Sequence, residues 1–379
     1  MGAHYEEVRQ ALFSSQPQQN LTAFTLGPGL SFPSGRILSP LIDCTFLPKE
    51  MQSRNNALCL TALQSLKAQI AQAKSTYGAH RIGIVMGTST SGIEESIQAL
   101  MHLHQDTFPP HYHYRQQEMG NMANMLTHVL EITGPNYVIS TACSSSAKAL
   151  ASAARLISLG ICDVVIAGGV DTLSRFTVAG FHSLGALSEK NCLPFSANRQ
   201  GINIGEAAVL FIVSKEETAV SLAGAGESAD AYHLSAPEPE GKGAIRAIKA
   251  ALQSANISAE QIDYINLHGT ATLHNDAMES KAIAQIFGDK TYASSTKSMT
   301  GHTLAAAGAL EAAFCYAVVA SDNLQGQLPL HLWDEIPDPA LPLVRFVPPA
   351  CKLGFRPRYV LSNSFGFGGS NASLVLKAE

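Results

Sequence analysis

Apolar runs with no polar break, bounded by Gly, Ser or Asp, recur along the chain: HRIGIVMGTSTSG at 80–92, PNYVIS at 135–140, DVVIAGGV at 163–170 and GEAAVLFIVSKE at 205–216. They are short and uniformly apolar, the pattern of strands buried on both faces. Between them lie an amphipathic stretch at 120–130 and TACSSSAKALASAARLISLG at 141–160, a turn followed by a helix of small residues. The second part repeats the style. GAIRAIKAALQSA (243–255) reads as a helix, IDYINLHGT (262–270) as a strand ending in a turn, and NDAMESKAIAQIFG (275–288) as a helix. TYASSTKSMTGH (291–302) leads into an Ala-rich helix, and two β-runs around a Gly-rich turn occupy 358–378. Strands alternating with helices predict an α/β protein with largely parallel sheets covered on both faces. We divide it into two similar halves, 1–215 and 216–379, with the Gly-, Ala- and Pro-rich segment 221–243 between them.

Composition narrows this. Charged residues are 15% of the 379 and apolar residues 46%, a large interior that excludes disorder as the dominant state. The net charge of −5 and the absence of a clustered basic run argue against nucleic acid as a partner. Apolar runs such as 207–213 are far shorter than the roughly 18–20 residues of a spanning helix. MGAHYEEVRQ is polar and acidic where a signal peptide is basic and then apolar, so a cytoplasmic protein is expected. The seven cysteines are odd in number and widely spaced, with no C-x-x-C pair, against both a disulfide framework and a zinc site. His102/His104 and His111/His113 have no matching Cys or Asp set, and no metal is expected.

Four patches carry candidate chemistry. In Thr141-Ala142-Cys143-Ser144-Ser145-Ser146 the cysteine stands at the mouth of a helix, where the helix dipole lowers a thiol pKa; a buried core cysteine is the alternative. His268-Gly269-Thr270-Ala271-Thr272 ends a strand. His268 suits acid–base work or hydrogen-bond donation, and at least one of the threonines is expected to cap the following helix. Lys297-Ser298-Met299-Thr300-Gly301-His302 puts a lysine in a lightly charged sequence. Its acidic candidate, Glu311, points elsewhere on its helix unless the lysine loop folds back. Asn363-Ser364-Phe365-Gly366-Phe367-Gly368-Gly369-Ser370-Asn371 is a loop able to offer backbone N–H groups to an oxyanion, or simply a tight turn.

Taken together and in this order, T-A-C-S-S-S, H-G-T-x-T, K-S-x-x-G-H and N-S-F-G-F-G-G-x-N resemble the β-ketoacyl-acyl-carrier-protein synthases of the decarboxylating Cys-His-His type. The match runs from about residue 80 onward and takes in PFSANRQGINIGEAA (194–208) and DAYHLSAP (230–237). The resemblance implies a thiolase fold, duplicated βαβαβαββ halves in a five-layer αβαβα sandwich, normally dimeric. It implies that Cys143 takes an acyl group from acyl carrier protein, that His268 and His302 assist decarboxylation of a malonyl thioester, and that the carbanion attacks the Cys143 thioester. It further places the oxyanion hole at the N–H groups of Cys143 and Phe367 and gives Lys297 an ordering role through Glu311 and His302. Thr270 and Thr272 match residues holding the phosphopantetheine arm, which arrives on the carrier, so no cofactor of its own is implied. Phe367 and Phe365 belong to the loop that gates the pocket, and Phe181 lines the acyl side.

Chain-length factors, the inactive partners of such enzymes, lack the nucleophile that Cys143 supplies here. A chain-length-factor-like or scaffolding subunit is the alternative reading. The GTSTSGIEES segment (87–96) is similar to specialised ketosynthases such as those of aryl polyene pathways, which implies a heterodimer with a chain-length-factor-like ketosynthase, where the family resemblance alone allows a homodimer or a heterodimer. Two departures accompany the resemblance. The first strand of the family, expected in the middle of the N-terminal sheet, has no counterpart before the first helix. Gly185 also stands where relatives carry a basic carrier-docking residue, leaving Arg54, Lys67 and Arg199 as candidates for that role.

Overall fold

The uniformly apolar runs are the interior strands. A computed structural model describes every residue except 1, 3, 15, 18–20, 105 and 106. Helix α1 (Tyr5–Leu12) is followed by a hairpin of β1 (Thr22–Gly27) and β2 (Leu30–Ser34), which pairs with neither main sheet. The first main sheet holds β3 (Ile82–Gly87), β4 (Asn136–Ile139), β5 (Val164–Asp171) and β6 (Ala207–Ser214) in the order β4-β3-β5-β6, parallel except for β6. The second holds β7 (Val220–Ala229), β8 (Tyr264–Asn266), β9 (Tyr292–Ser294), β10 (Arg345–Phe346), β11 (Tyr359–Gly366) and β12 (Ser370–Ala378). Its order is β10-β9-β8-β11-β12-β7, with β12 antiparallel to β11 and β7 antiparallel to β12.

The helices make the layers. α2 (Arg54–Leu63), α3 (Lys67–Tyr77) and α5 (Asn121–Leu130) close the outer face of the first sheet, burying Leu58, Leu63, Ile70 and Met122 against Ile82, Ile84 and Met86. α4 (Ile93–Met101) and α7 (Arg175–Ser183) lie at one end of that sheet. Between the sheets run α6 (Ser145–Ser158) and α11 (Ala307–Val319), in a shared core with Val85, Val165, Val360 and Leu374. A helix flanked by sheets on both sides must be apolar all round, which explains the Ala-rich sequence of α11. α8 (Lys242–Ser254) and α9 (Leu273–Phe287) cover the second sheet, and α10 (Lys297–Thr300) is a single turn beside the central layer. The result is the five-layer αβαβα sandwich. Among the described residues no helix is long and apolar enough to cross a membrane.

Two expectations are corrected. The segment 221–243 is not simply a connection: residues 221–229 belong to β7, at the edge of the second sheet, and 242–243 open α8. Gly224 and Gly226 reflect close approach by α8. A Cβ at Gly224 would stand 2.4 Å from the Ala251 carbonyl oxygen, and one at Gly226 2.0 Å from that of Ala247. Nor, among the described residues, does the first sheet show a gap in its middle. In the second half, the strand that precedes its helices, β7, pairs outside β12. The corresponding slot in the first half is the outer edge of β6, where among the described residues no strand pairs. The burial contrast follows. β12 is buried over most of its length, whereas β6 is only half-buried. A cavity of about 1060 Å³ lies against β6, lined by Leu150, Phe211, Val213, Tyr316 and Leu374 among others.

Candidate active site

The site forms where strand ends of both halves face the start of the central helices. β4 leads into Cys143, two residues ahead of α6. Ala142 has φ 53°, a left-handed conformation that alanine rarely adopts. The serines explain how it is held. Ser145 Oγ accepts from Thr141 N at 2.9 Å and donates to the Ala142 carbonyl at 2.5 Å, while Ser144 Oγ reaches the Thr141 carbonyl at 2.9 Å and Ser370 Oγ at 3.0 Å. Gly87 and Gly169 admit the helix start: a Cβ on either would lie 2.6 Å from Ser146.

Cys143, His268 and His302 are all buried, with thiol and imidazole ligand atoms within 4.8 Å of one another. His302 Nε2 lies 2.9 Å from Cys143 Sγ, and the two rings stand edge to face with centroids 5.2 Å apart. His302 Nδ1 has no hydrogen-bond partner among the described residues. No carboxylate therefore steadies an imidazolium there, in contrast to a Ser-His-Asp arrangement. Lys297 forms a buried ion pair with Glu311 and brings its Nζ to 3.5 Å from His268 Nδ1. The lysine loop folds back, as α10, which is the condition under which Glu311 can meet it. With the ammonium donating to Nδ1, His268 carries its own hydrogen on Nε2.

Electrostatics keep the imidazoles neutral. Burial, reinforced by the Lys297 charge, holds both His268 and His302 well below the ordinary histidine range. Burial pushes the Cys143 thiol up to about 12, against the opposing pull of Lys297 and the Phe367 backbone N–H. The thiol therefore does not show the lowering expected at a helix mouth: removal of water from the thiolate outweighs the Lys297 charge and the Phe367 N–H together. Burial also raises Glu311, to about 7, with Lys297 opposing it.

The remaining residues fall as follows. Thr270 and Thr272 line the pocket and share a hydroxyl hydrogen bond of 2.9 Å. Neither caps α9 through its side chain: Thr272 occupies the cap position without a side-chain bond, because its hydroxyl is engaged with Thr270. Phe365 meets His268 edge-on at 5.9 Å, and Phe181 packs 5.6 Å from Phe367 at the mouth. The pocket between them is about 430 Å³ and also takes in His233, Leu273 and Asn371. Two basic candidates for docking are already engaged. Arg54 is paired with the buried Glu206, and Arg199 is buried and bonded to Asp338 at 2.7 Å. Only Lys67 of the three is exposed.

Sequence reasoning missed the groups that hold these loops. Glu279 accepts from His268 N at 2.8 Å and Gly269 N at 2.7 Å, and Asp276 accepts from Phe195 N at 2.7 Å and Ala271 N at 3.2 Å. Burial raises them to about 7 and about 6 respectively. Their spacing near the start of a helix was the available signal, because acidic residues there serve backbone N–H groups of the preceding turn. Asn203 is the other. Its carbonyl accepts from His302 N at 2.6 Å, and its side chain binds Cys192 N, Ser188 O and Lys190 O.

Comparison with known proteins accords with this arrangement. Residues 45–219 match the beta-ketoacyl synthase N-terminal domain and 219–331 the beta-ketoacyl synthase C-terminal domain. A 3-oxoacyl-[acyl-carrier-protein] synthase 2 of Synechocystis sp. is 34% identical over 88% of this chain and 84% of its own. The chain belongs to the β-ketoacyl synthase family. The corresponding synthase 2 of Coxiella burnetii is 36% identical over 79% of this chain and 75% of its own. Among solved structures, the ketosynthase ApeO, in complex with its chain length factor ApeC from Xenorhabdus doucetiae, is 43% identical. It superposes with a TM-score of 0.93, covering 100% of this chain and 95% of that one. In that frame, Cys143 occupies the pocket floor with two neutral imidazoles directed at it.

Proposed function

We propose that this ketosynthase condenses malonyl-acyl-carrier-protein with an acyl group held on Cys143, releasing carbon dioxide and 3-oxoacyl-acyl-carrier-protein. The observation that carries this reading is the buried Cys143–His302–His268 cluster, with Lys297 behind it. Cys143 Sγ attacks the carrier thioester, its proton leaves on the departing pantetheine sulfur, and the acyl group stays on Cys143, while His302 keeps its hydrogen on Nε2. The C–C bond to the malonyl carboxylate then breaks and carbon dioxide leaves. The electron pair forms an enolate whose oxygen accepts hydrogen bonds from His268 and His302. Neutral imidazoles suit this, since a protonated one would quench the carbanion. The carbanion attacks the Cys143 thioester, the Cys143 and Phe367 N–H groups receive the oxyanion, and collapse frees the Cys143 thiolate, which takes up a proton from solvent to restore the thiol. Donors of that kind are worth roughly 3 kcal/mol each in acyl transfer.

Thr270 and Thr272 hold the phosphopantetheine arm in the 430 Å³ pocket, Phe365 and Phe367 gate it, and Phe181 borders the acyl chain. The partners are acyl carrier protein and a chain-length-factor-like ketosynthase, in a heterodimer that elongates chains of the aryl polyene kind. Support for the partner is the 43% identity to a ketosynthase solved with its chain length factor. The test is intact-mass spectrometry of the wild type and Cys143→Ala with acyl-carrier-proteins of several lengths and malonyl-carrier-protein, with and without the co-expressed partner. A Cys143-dependent acyl adduct and a product two carbons longer are expected. Absence of an adduct at every length, with the partner present, overturns the nucleophile assignment.

A further inference from the structure

The turn Gly87–Gly92 and the end of β5 take no part in the chemistry described above, yet they contain the most heavily hydrogen-bonded carboxylate near the site. Asp171 is fully buried at the end of β5. Its Oδ1 accepts from Thr88 Oγ1 at 2.7 Å, Ser89 N at 2.8 Å, and Thr90 N and Oγ1, both at 2.9 Å. Its Oδ2 accepts from Ser89 Oγ at 2.5 Å and from Ala305 N at 2.8 Å. Every contact is a donor, and among the described residues no Lys, Arg or His lies within ion-pair distance of it. Three of the six are backbone N–H groups, which can only donate, so both carboxyl oxygens act as acceptors.

The bond to Ala305 is the informative one. Ala305 follows His302-Thr303-Leu304, and Leu304 holds φ 52°, a strained conformation for a branched side chain that persists only where its surroundings enforce it. The backbone of His302 is fixed on one side by Asn203 O and Gly205 N, at 2.6 and 2.9 Å. On the other side the turn is pinned by Asp171. We propose that Asp171 is a positioning residue that holds the Leu304 turn, and through it His302 Nε2, against Cys143. This rests on the condensing role of His302 for its kinetic part only.

The groups that act on the Cys143 thiol are Lys297 and the Phe367 N–H, which favour the thiolate, and Asp171 and Glu311, whose charges oppose it, with His268 and His302 neutral beside it. Loss of the Asp171 charge therefore makes the thiol more acidic, whereas mere loosening of a structural bond would not.

The experiment compares Asp171→Asn, Asp171→Glu and wild type by condensation kinetics and by the pH dependence of Cys143 alkylation with iodoacetamide. Asp171→Asn is expected to lower kcat by about 10- to 100-fold with KM for the carrier little changed, and to alkylate about three- to tenfold faster at pH 8. Asp171→Glu keeps the charge but misplaces it: its kcat falls while its alkylation profile stays with the wild type. If Asp171→Asn does not fold, Ser89→Ala removes one of the Oδ2 donors and is expected to lower kcat severalfold. An unchanged kcat in the folded Asn variant, or for the fallback an unchanged kcat in Ser89→Ala, overturns the positioning role. An alkylation profile that moves equally in the Asn and Glu variants overturns the charge role. Alkylation needs neither carrier nor acyl chain, so it reads the charge role even if the condensing reading fails.

Discussion

The two halves of the molecule present the same frame and use it differently. β4 and β9 each lead to the start of a central helix, and these mouths hold Cys143 in one half and the Lys297–His302 run in the other. The turns after β3 and β8 correspond in the same way, yet the first is bound up with Asp171 while the second delivers His268 to the pocket. At the far edge the contrast reverses. β12 is sealed by β7, whereas β6 has no outer neighbour among the described residues and borders a cavity of about 1060 Å³. Duplication supplies pairs of equivalent positions, and hydrogen bonding decides which member of each pair remains available for chemistry.

The largest effect that would sharpen this contrast is in the paired turns. His268→Ala is expected to lower condensation by about 10²- to 10⁴-fold. Thr88→Val, at the matching place, removes one of six donors to Asp171 and should lower it less than about tenfold, costing instead about 1–3 kcal/mol of stability. Equal kinetic losses measured in one assay would break the comparison. Packing at the two edges comes next. Leu374→Ala in β12 removes a side chain that is 1% exposed and should cost about 2–5 kcal/mol in chemical denaturation. Phe211→Ala in β6, half-buried beside the cavity, should cost less than that despite removing a larger side chain.

A third test uses acid. His331 lies in the second half, stacked on Phe346 at 4.1 Å, and burial lowers it to about 3. The unfolded chain binds a proton there below about pH 6.5 and the folded chain does not. Its contribution is whole above that pH and is lost as the pH falls toward 3, at about 1.4 kcal/mol per unit. His331→Asn should flatten the slope of stability against pH between 4 and 6 by about that amount relative to wild type, as read by denaturant titration. The smallest effect is local. Outward amides of β6 should exchange with deuterium faster than those of β12, and matched protection would mean that the edge of β6 is covered in solution.

The sequence pattern located the layers because strands buried on both faces and small-residue helices leave a signature in one dimension. It also placed Cys143, His268, His302 and Lys297 at strand-to-helix turns, since each lies in a short motif. It misled where the cause was three-dimensional. The glycines of 221–243 looked like a connection, although Gly224 and Gly226 record the approach of α8. The Cys143 thiol looked activated by a helix end, although its burial inside five layers dominates. Arg54 and Arg199 looked free, although Glu206 and Asp338 claim them from distant segments. Asp171, Asp276 and Glu279 escaped notice because a carboxylate that serves backbone N–H groups carries no motif of its own.

Ala142, Ala271 and Leu304 stand one to three residues from Cys143, His268 and His302, each in a backbone region that favours glycine. Anyone engineering this enzyme for heat resistance would be drawn to them, since relieving such strain commonly yields a more stable protein. Glycine at these points would also let three loops wander that at present have a single shape. A sturdier molecule obtained that way would be a slower catalyst.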